Sequence, residues 1–173
     1  MTIYWNSTKK YSLSSACAVE SDFFCNSIDW SPPGFSVHGI FQTRILEYPY
    51  LKEAKGTIIN FASGAGLFGN YGQCSYAAAK EGIRGLSRVA ATEWAKDGIN
   101  TNVICPLAWT AQLENFQNAY PEAFKANVKM PPAGHFGDSE LEIGRVCVQL
   151  AHPDFNYLNG ETLTLEGGMG LRP

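Results

Sequence analysis

Between Gly56 and Gly168 the sequence alternates short apolar runs with longer periodic ones, and that alternation restricts the architecture more than any other feature. Thr57-Ile58-Ile59-Asn60-Phe61 follows a glycine and has the unbroken apolar character of a strand buried on both faces. A small-residue segment, Ser63 to Gly72, is expected to be a loop. Gln73 to Lys96 reads as a long helix, with Ile83, Leu86, Ala90 and Trp94 on one stripe and Asp97-Gly98 as its stop. Ile99 to Cys105 reads as a second strand ended by Pro106. Leu107 to Pro132 reads as broken helix. Ser139 and Glu142 form a capping box for a helix running to Ala151, and Glu161 to Leu165 alternates as a last strand. Strand, helix, strand, helix, strand specifies a parallel α/β layer.

Composition breaks sharply in front of this layer. Residues 1–50 hold ten aromatics, eight Ser, two Gly and two Ala, whereas residues 51–173 hold twelve aromatics, four Ser, fifteen Gly and sixteen Ala. The chain therefore divides near Tyr48–Leu51 into a head, residues 1–48, and a body, residues 49–173. The head has no sustained period of 2 or 3.6. It is expected to be irregular, apart from a short helix near Val37–Glu47. Trp30 to Glu47 resembles the translation of a common ruminant interspersed repeat, which makes a mispredicted segment an alternative to a genuine but divergent one.

A net charge of −3 argues against a nucleic-acid or anionic-membrane partner. No run approaches 18 apolar residues, and the first 30 residues lack a signal-type apolar region. Five scattered cysteines without Cys-x-x-Cys read as reduced thiols, hence a cytoplasmic protein. His135 and His152 stand at no metal-binding spacing and are expected to be ordinary surface residues; no metal is expected.

Gly64-Ala65-Gly66-Leu67-Phe68-Gly69 spells G-x-G-x-x-G directly after a strand. As a dinucleotide fingerprint it lacks two features. The next strand ends at Cys105-Pro106 rather than at an acidic residue, and the helix begins several residues too late. The preferred reading is a tight loop whose glycines let the chain pass close to something. Tyr76 and Lys80, at i and i+4, share one helical face just beyond it. A free tyrosine releases its proton only near pH 10, and a cation one turn away favours the phenolate. Ser63 lies at the carboxyl end of the preceding strand, where open α/β sheets hold ligands. Alone, Tyr-x-x-x-Lys is a common surface pair.

Together these residues resemble the short-chain dehydrogenase/reductase family, classical type. The resemblance rests on Gly56-Thr-Ile-Ile-Asn60-Phe-Ala-Ser63, Tyr76-x-x-x-Lys80, Gly82-x-x-Gly85-Leu-Ser, Asn100-Thr-Asn-Val-Ile-Cys-Pro106 and Tyr157-Leu-Asn-Gly160-Glu-Thr-Leu-Thr-Leu-Glu166-Gly-Gly168. It covers about Pro49 to Pro173 and corresponds to the family's C-terminal half. It implies a partial Rossmann-like, doubly wound parallel sheet and an NAD(P)-dependent oxidoreductase interconverting an alcohol and a ketone. Tyr76 would be the acid/base. Lys80 would favour its phenolate and hold the nicotinamide ribose, and Ser63 would orient the substrate oxygen. Pro106 and Thr110 would line the nicotinamide. A small-molecule substrate and a homo-oligomer follow from the same resemblance.

Departures accompany the match. Pro-Gly is Pro106-Leu107, Thr110 comes one residue early, and the closing Asp-Gly-Gly is Glu166-Gly-Gly. Residues 1–50 show no Thr-Gly-x-x-x-Gly-x-Gly phosphate loop, no residue selecting NAD over NADP, and no Asn-Asn-Ala-Gly strand. Counting back for the family's catalytic asparagine lands near Phe35 or Ser36. The alternative is thus a truncated or fused, inactive member of the family. Trp109, Phe116, Tyr120, Phe124 and Phe136 suggest an apolar lid, although core packing is the stronger reading for any one of them.

Overall fold

The structure is a computed structural model that describes the backbone of residues 2–5 and all of residues 48–170. The short helix expected near Val37–Glu47 lies outside the described residues. Four strands form one sheet in the order β1 (Thr2–Trp5), β2 (Thr57–Phe61), β3 (Asn100–Pro106) and β4 (Thr162–Leu165). The last three are parallel, pairing Thr57 with Asn100 and Val103 with Thr162, so their carboxyl ends share one edge. β1 is a correction to the irregular head: it runs antiparallel along β2, from Thr2 opposite Asn60 to Trp5 opposite Thr57. Four residues are too few for an alternating pattern to declare itself.

Successive β2 side chains enter different cores because strand side chains alternate between faces. Ile59 and Ile104 meet Ile143, Cys147 and Leu150 on one face. Ile58 meets Leu51 and Ile99 on the other, with Tyr48 and Trp94 packed beside them. Residues 48–54 form helix α1. The long helix, α3 (Cys74–Trp94), covers the face of Asn60, whose amide donates to Ser87 Oγ at 2.7 Å. α6 (Arg145–Leu150) lies behind Ile59. Helices thus cover both faces of a mostly parallel sheet, the doubly wound arrangement.

Three local expectations need correction. Ser63 to Gly72 is not all loop: Gly64–Phe68 forms a short helix, α2, because Ser63 Oγ accepts the Ala65 N–H and Gly69 closes it at φ 66°. On α3, the deepest residues are Ser87, Ala90 and Ala91, while Ile83, Leu86 and Trp94 are only half-buried. Small residues let that helix sit close to the sheet. Ser139 is not the cap of the next helix. Asp138 is, accepting from Glu140 N–H and Leu141 N–H, while Glu142 reaches back to Asp138 N–H at 2.7 Å. The reciprocal box is therefore moved by one residue, and Ser139–Gly144 opens as a π-helical turn before α6.

Asp97 fastens α1 to the 3₁₀ turn Ala95–Asp97 that ends α3. Its carboxylate accepts from Tyr48 Oη at 2.6 Å and pairs with Lys52 Nζ at 2.7 Å. The hydrogen bond from Lys52, then that from Tyr48, holds Asp97 below the usual carboxylate range. A lowered folded-state pKa contributes stability above the ordinary carboxylate range, lost as pH falls through the lowered value. Asp97→Asn is expected to lower the melting temperature by about 1–4 °C at neutral pH. The gap from the parent should close on acidification, as scanning calorimetry would record.

Candidate active site

The carboxyl edge of the parallel strands gathers most of the candidate residues. Ser63 stands two residues beyond Phe61, the end of β2, and Pro106 ends β3. The two strand ends are neighbours through the pairing of Phe61 with Ile104. Lys80 crosses from α3 to this edge, its Nζ donating to the Phe61 carbonyl at 3.1 Å. The same ammonium lies 5.6 Å from the centre of the Tyr76 ring, within cation–π range. The helical i, i+4 spacing has therefore produced a real contact. Tyr76 remains 36% exposed, so its hydroxyl is reachable from solvent. Ser63 Oγ spends an acceptor position on Ala65 N–H at 3.2 Å, which leaves its hydroxyl proton available to donate outward.

Thr110 lies four residues beyond Pro106 as the N-cap of α4 (Ala111–Ala119), with Oγ1 accepting the Leu113 N–H at 3.2 Å. α5 (Pro121–Asn127) follows directly. The aromatic residues of this region form a continuous chain. Phe136 lies 5.7 Å from Trp109, Trp109 6.2 Å from Phe124, Phe124 6.0 Å from Phe116, and Phe116 6.1 Å from Tyr120. Trp109 and Tyr120 stay substantially exposed, so the chain is a surface cluster near the strand edge rather than a sheet-facing core.

The glycine segment is occupied by the protein itself. A Cβ on Gly64 would lie 2.2 Å from Glu166 Oε1, and one on Gly66 would lie 2.6 Å from Glu81 Oε1. Glu81 is tied through its other oxygen to Arg84 at 2.7 Å. Two carboxylates pressed on these glycines would repel a pyrophosphate, so G-x-G-x-x-G here packs α2 against α3 and the β4 exit. What passes close is a pair of acidic side chains, a partner the spacing gave no sign of. The hydroxyl, ammonium and hydroxyl of Tyr76, Lys80 and Ser63 fit the polar nicotinamide end of a dinucleotide and an oxygen substrate. The glycine segment does not fit the phosphates.

Two contacts of consequence were missed in the sequence. The Phe61 carbonyl that anchors Lys80 is a backbone group and leaves no residue-type signal. His135 is paired with Glu142, seven residues on, a spacing that matches no helical or metal pattern. His152 caps the 3₁₀ turn Pro153–Phe155.

A model of the family described as enoyl-(acyl carrier protein) reductase matches residues 34–170. The chain belongs to the short-chain dehydrogenase/reductase family. Over 126 residues it is 76% identical to a 12alpha-hydroxysteroid dehydrogenase of a Clostridium species, covering 73% of this chain and 49% of that protein. A 3-oxoacyl-(acyl-carrier-protein) reductase of Vibrio cholerae is 38% identical over 119 residues, 69% of this chain and 48% of its own length. The chain spans about half the length of the curated relatives it matches. An oxidoreductase of the short-chain family from Burkholderia thailandensis shares the fold, with a TM-score of 0.65 and 23% identity over 75% of this chain and 51% of its own. Among the described residues no helix is long and apolar enough to cross a membrane.

Proposed function

We propose that this short-chain family member interconverts an alcohol and a ketone with NAD or NADP. The observation that carries the reading is Lys80, whose ammonium bridges the Phe61 carbonyl at the strand edge and the Tyr76 ring. Lys80, Tyr76, Pro106 and Thr110 are the residues that would hold the nicotinamide ribose and carboxamide. Bound there, the reduced cofactor supplies hydride. Tyr76 hands its phenolic proton to the carbonyl oxygen of the ketone, and takes it back from the alcohol in the reverse direction. The Lys80 cation stabilises the phenolate left behind. Ser63 donates its hydroxyl proton to the same substrate oxygen, fixing where that oxygen sits.

The substrate we favour is a hydroxysteroid, a rigid apolar ring system bearing a secondary alcohol. The name carried by the 76% identical relative supports it. So does the exposed aromatic chain from Phe136 to Tyr120, a surface suited to a flat apolar face. The thiols of Cys74 and Cys147 are free, in keeping with a reducing compartment such as the cytoplasm.

Titrating the purified chain with NADH and with NADPH, followed by nicotinamide fluorescence, tests the reading. Saturable binding is expected, weakened about 10–100-fold in Lys80→Ala, which removes a charged donor. A chain that unfolds cooperatively yet binds neither nucleotide would overturn the proposal in favour of a folded but inactive protein. The preferred nucleotide is a direct result of the same titration.

A further inference from the structure

Residues 131–138 run as a strap past the carboxyl ends of β3 and β4. Ala133 N–H donates to the Gly167 carbonyl at 2.9 Å, and Gly137 N–H to the Leu107 carbonyl at 3.0 Å. Trp109 N–H returns a bond to the Gly137 carbonyl at 3.0 Å, and Phe136 packs on the Trp109 ring. Ala133, His135 and Gly137 of the strap, with Leu107, Glu142, Ile143, Leu165 and Gly167, line an open pocket of about 180 Å³. The strap thus runs along an open pocket, and side-chain contacts add to its backbone fastenings.

His135 supplies one of them. Its Nε2 lies 3.0 and 3.1 Å from the two Glu142 oxygens, and its Nδ1 lies 3.3 Å from the Ala133 carbonyl. Every partner is an acceptor. A neutral imidazole carries a single N–H and can serve one side only, whereas the imidazolium serves both. We propose that His135 and Glu142 form a pH-operated clip that holds the strap, and with it Phe136, against Trp109. Protonated His135 closes the clip; its neutral form opens it.

The surroundings agree with this. Glu142, on the π-helical turn, is the charged group facing His135, and its hydrogen bond is the main reason the imidazole titrates above the ordinary histidine value. Asp138, at the cap, acts on Glu142 in opposing ways: its backbone N–H lowers the carboxyl pKa and its charge raises it, with a net lowering. Leu107, Leu165 and Gly167 bring no ionisable side chain to the pocket. The sign follows from these directions. His135 contributes fully below its unfolded value and stops contributing as pH rises through its raised value. Glu142 contributes above the ordinary carboxylate range and stops as pH falls through its lowered value. The clip is closed between the two.

The clip holds whether or not the chain turns over substrate, so its test needs no activity. Amide hydrogen exchange of the full chain, corrected for intrinsic rates and referred to the Ile104 amide, would follow Gly137 and Trp109 from about pH 6 to about pH 9. Their relative protection is expected to fall about two- to fivefold, the scale of an exposed ion pair. His135→Arg, a permanent cation, should be flat over the range, and His135→Ala low throughout. As a second readout, the His135 imidazole titration followed by NMR should move to lower pH in Glu142→Gln. Protection that does not change with pH in the parent, or changes equally in His135→Ala, would overturn the clip.

Discussion

Tyr76→Phe is expected to lower turnover of a secondary alcohol by about 10²–10⁴-fold, the usual share of a positioned acid–base group. The change deletes one oxygen and nothing else. The ring stays 5.6 Å from Lys80 Nζ, so the cation–π contact and the ammonium's bond to Phe61 both survive. Tyr76 is 36% exposed, and removing its hydroxyl strands no buried partner. The melting temperature should therefore stay near the parent value, and nucleotide binding should weaken by no more than the loss of one hydrogen bond, about 2–10-fold, while the rate collapses. That combination separates a chemical role from a structural one. Following nicotinamide absorbance with a hydroxysteroid, alongside the fluorescence titration, measures both halves. A Tyr76→Phe protein with undiminished turnover would remove this residue from the chemistry. If Lys80→Ala then still weakened nucleotide binding, the lysine's role would stand without the tyrosine's.

The elements of the body were legible because their signals are local. Thr57–Phe61 is unbroken apolar sequence, and Asp97-Gly98 stops α3 as expected, with Gly98 left-handed at φ 77°. The Tyr76–Lys80 pair followed from helical spacing alone. What stayed hidden depends on partners distant in sequence. Nothing near Gly64 announces that Glu166 will press upon it, and nothing near His135 announces Glu142 as its counter-ion. The cap at Asp138 was missed for a subtler reason. Ser139 and Glu142 satisfy the capping-box spacing of an α-helix, but this helix begins with a wider π turn, which moves the reciprocal bond to the preceding residue. Thr2–Trp5 was unreadable because it becomes a strand only by borrowing the edge of β2.

The largest stability loss is expected at Asn102, a fully buried polar residue in the middle of β3. Its side-chain amide donates to Asn100 Oδ1 at 2.7 Å and to the Leu158 carbonyl, while its oxygen accepts the Glu161 N–H at 3.0 Å. Asn102→Leu nearly conserves volume and removes all three bonds. The Leu158 carbonyl retains the Asn100 amide as a donor. The Glu161 N–H belongs to an exposed residue and turns to solvent, but Asn100 Oδ1 is left a stranded buried acceptor, which costs about 1–3 kcal/mol by itself. With the other two bonds, about 3–5 kcal/mol is expected, a large part of a small domain's total. The consequence reaches the site through β4. Residues 158–161 set where that strand begins, and it leads to Glu166, which lies against Gly64 at the start of α2, directly after Ser63. Urea unfolding should give a lower midpoint at unchanged slope. Asn102→Asp keeps the acceptor for Glu161 but buries a charge beside the Asn100 oxygen, and should be no milder. A loss below about 1 kcal/mol in Asn102→Leu would mean that the loop is held by its neighbours and that β3 tolerates an apolar centre.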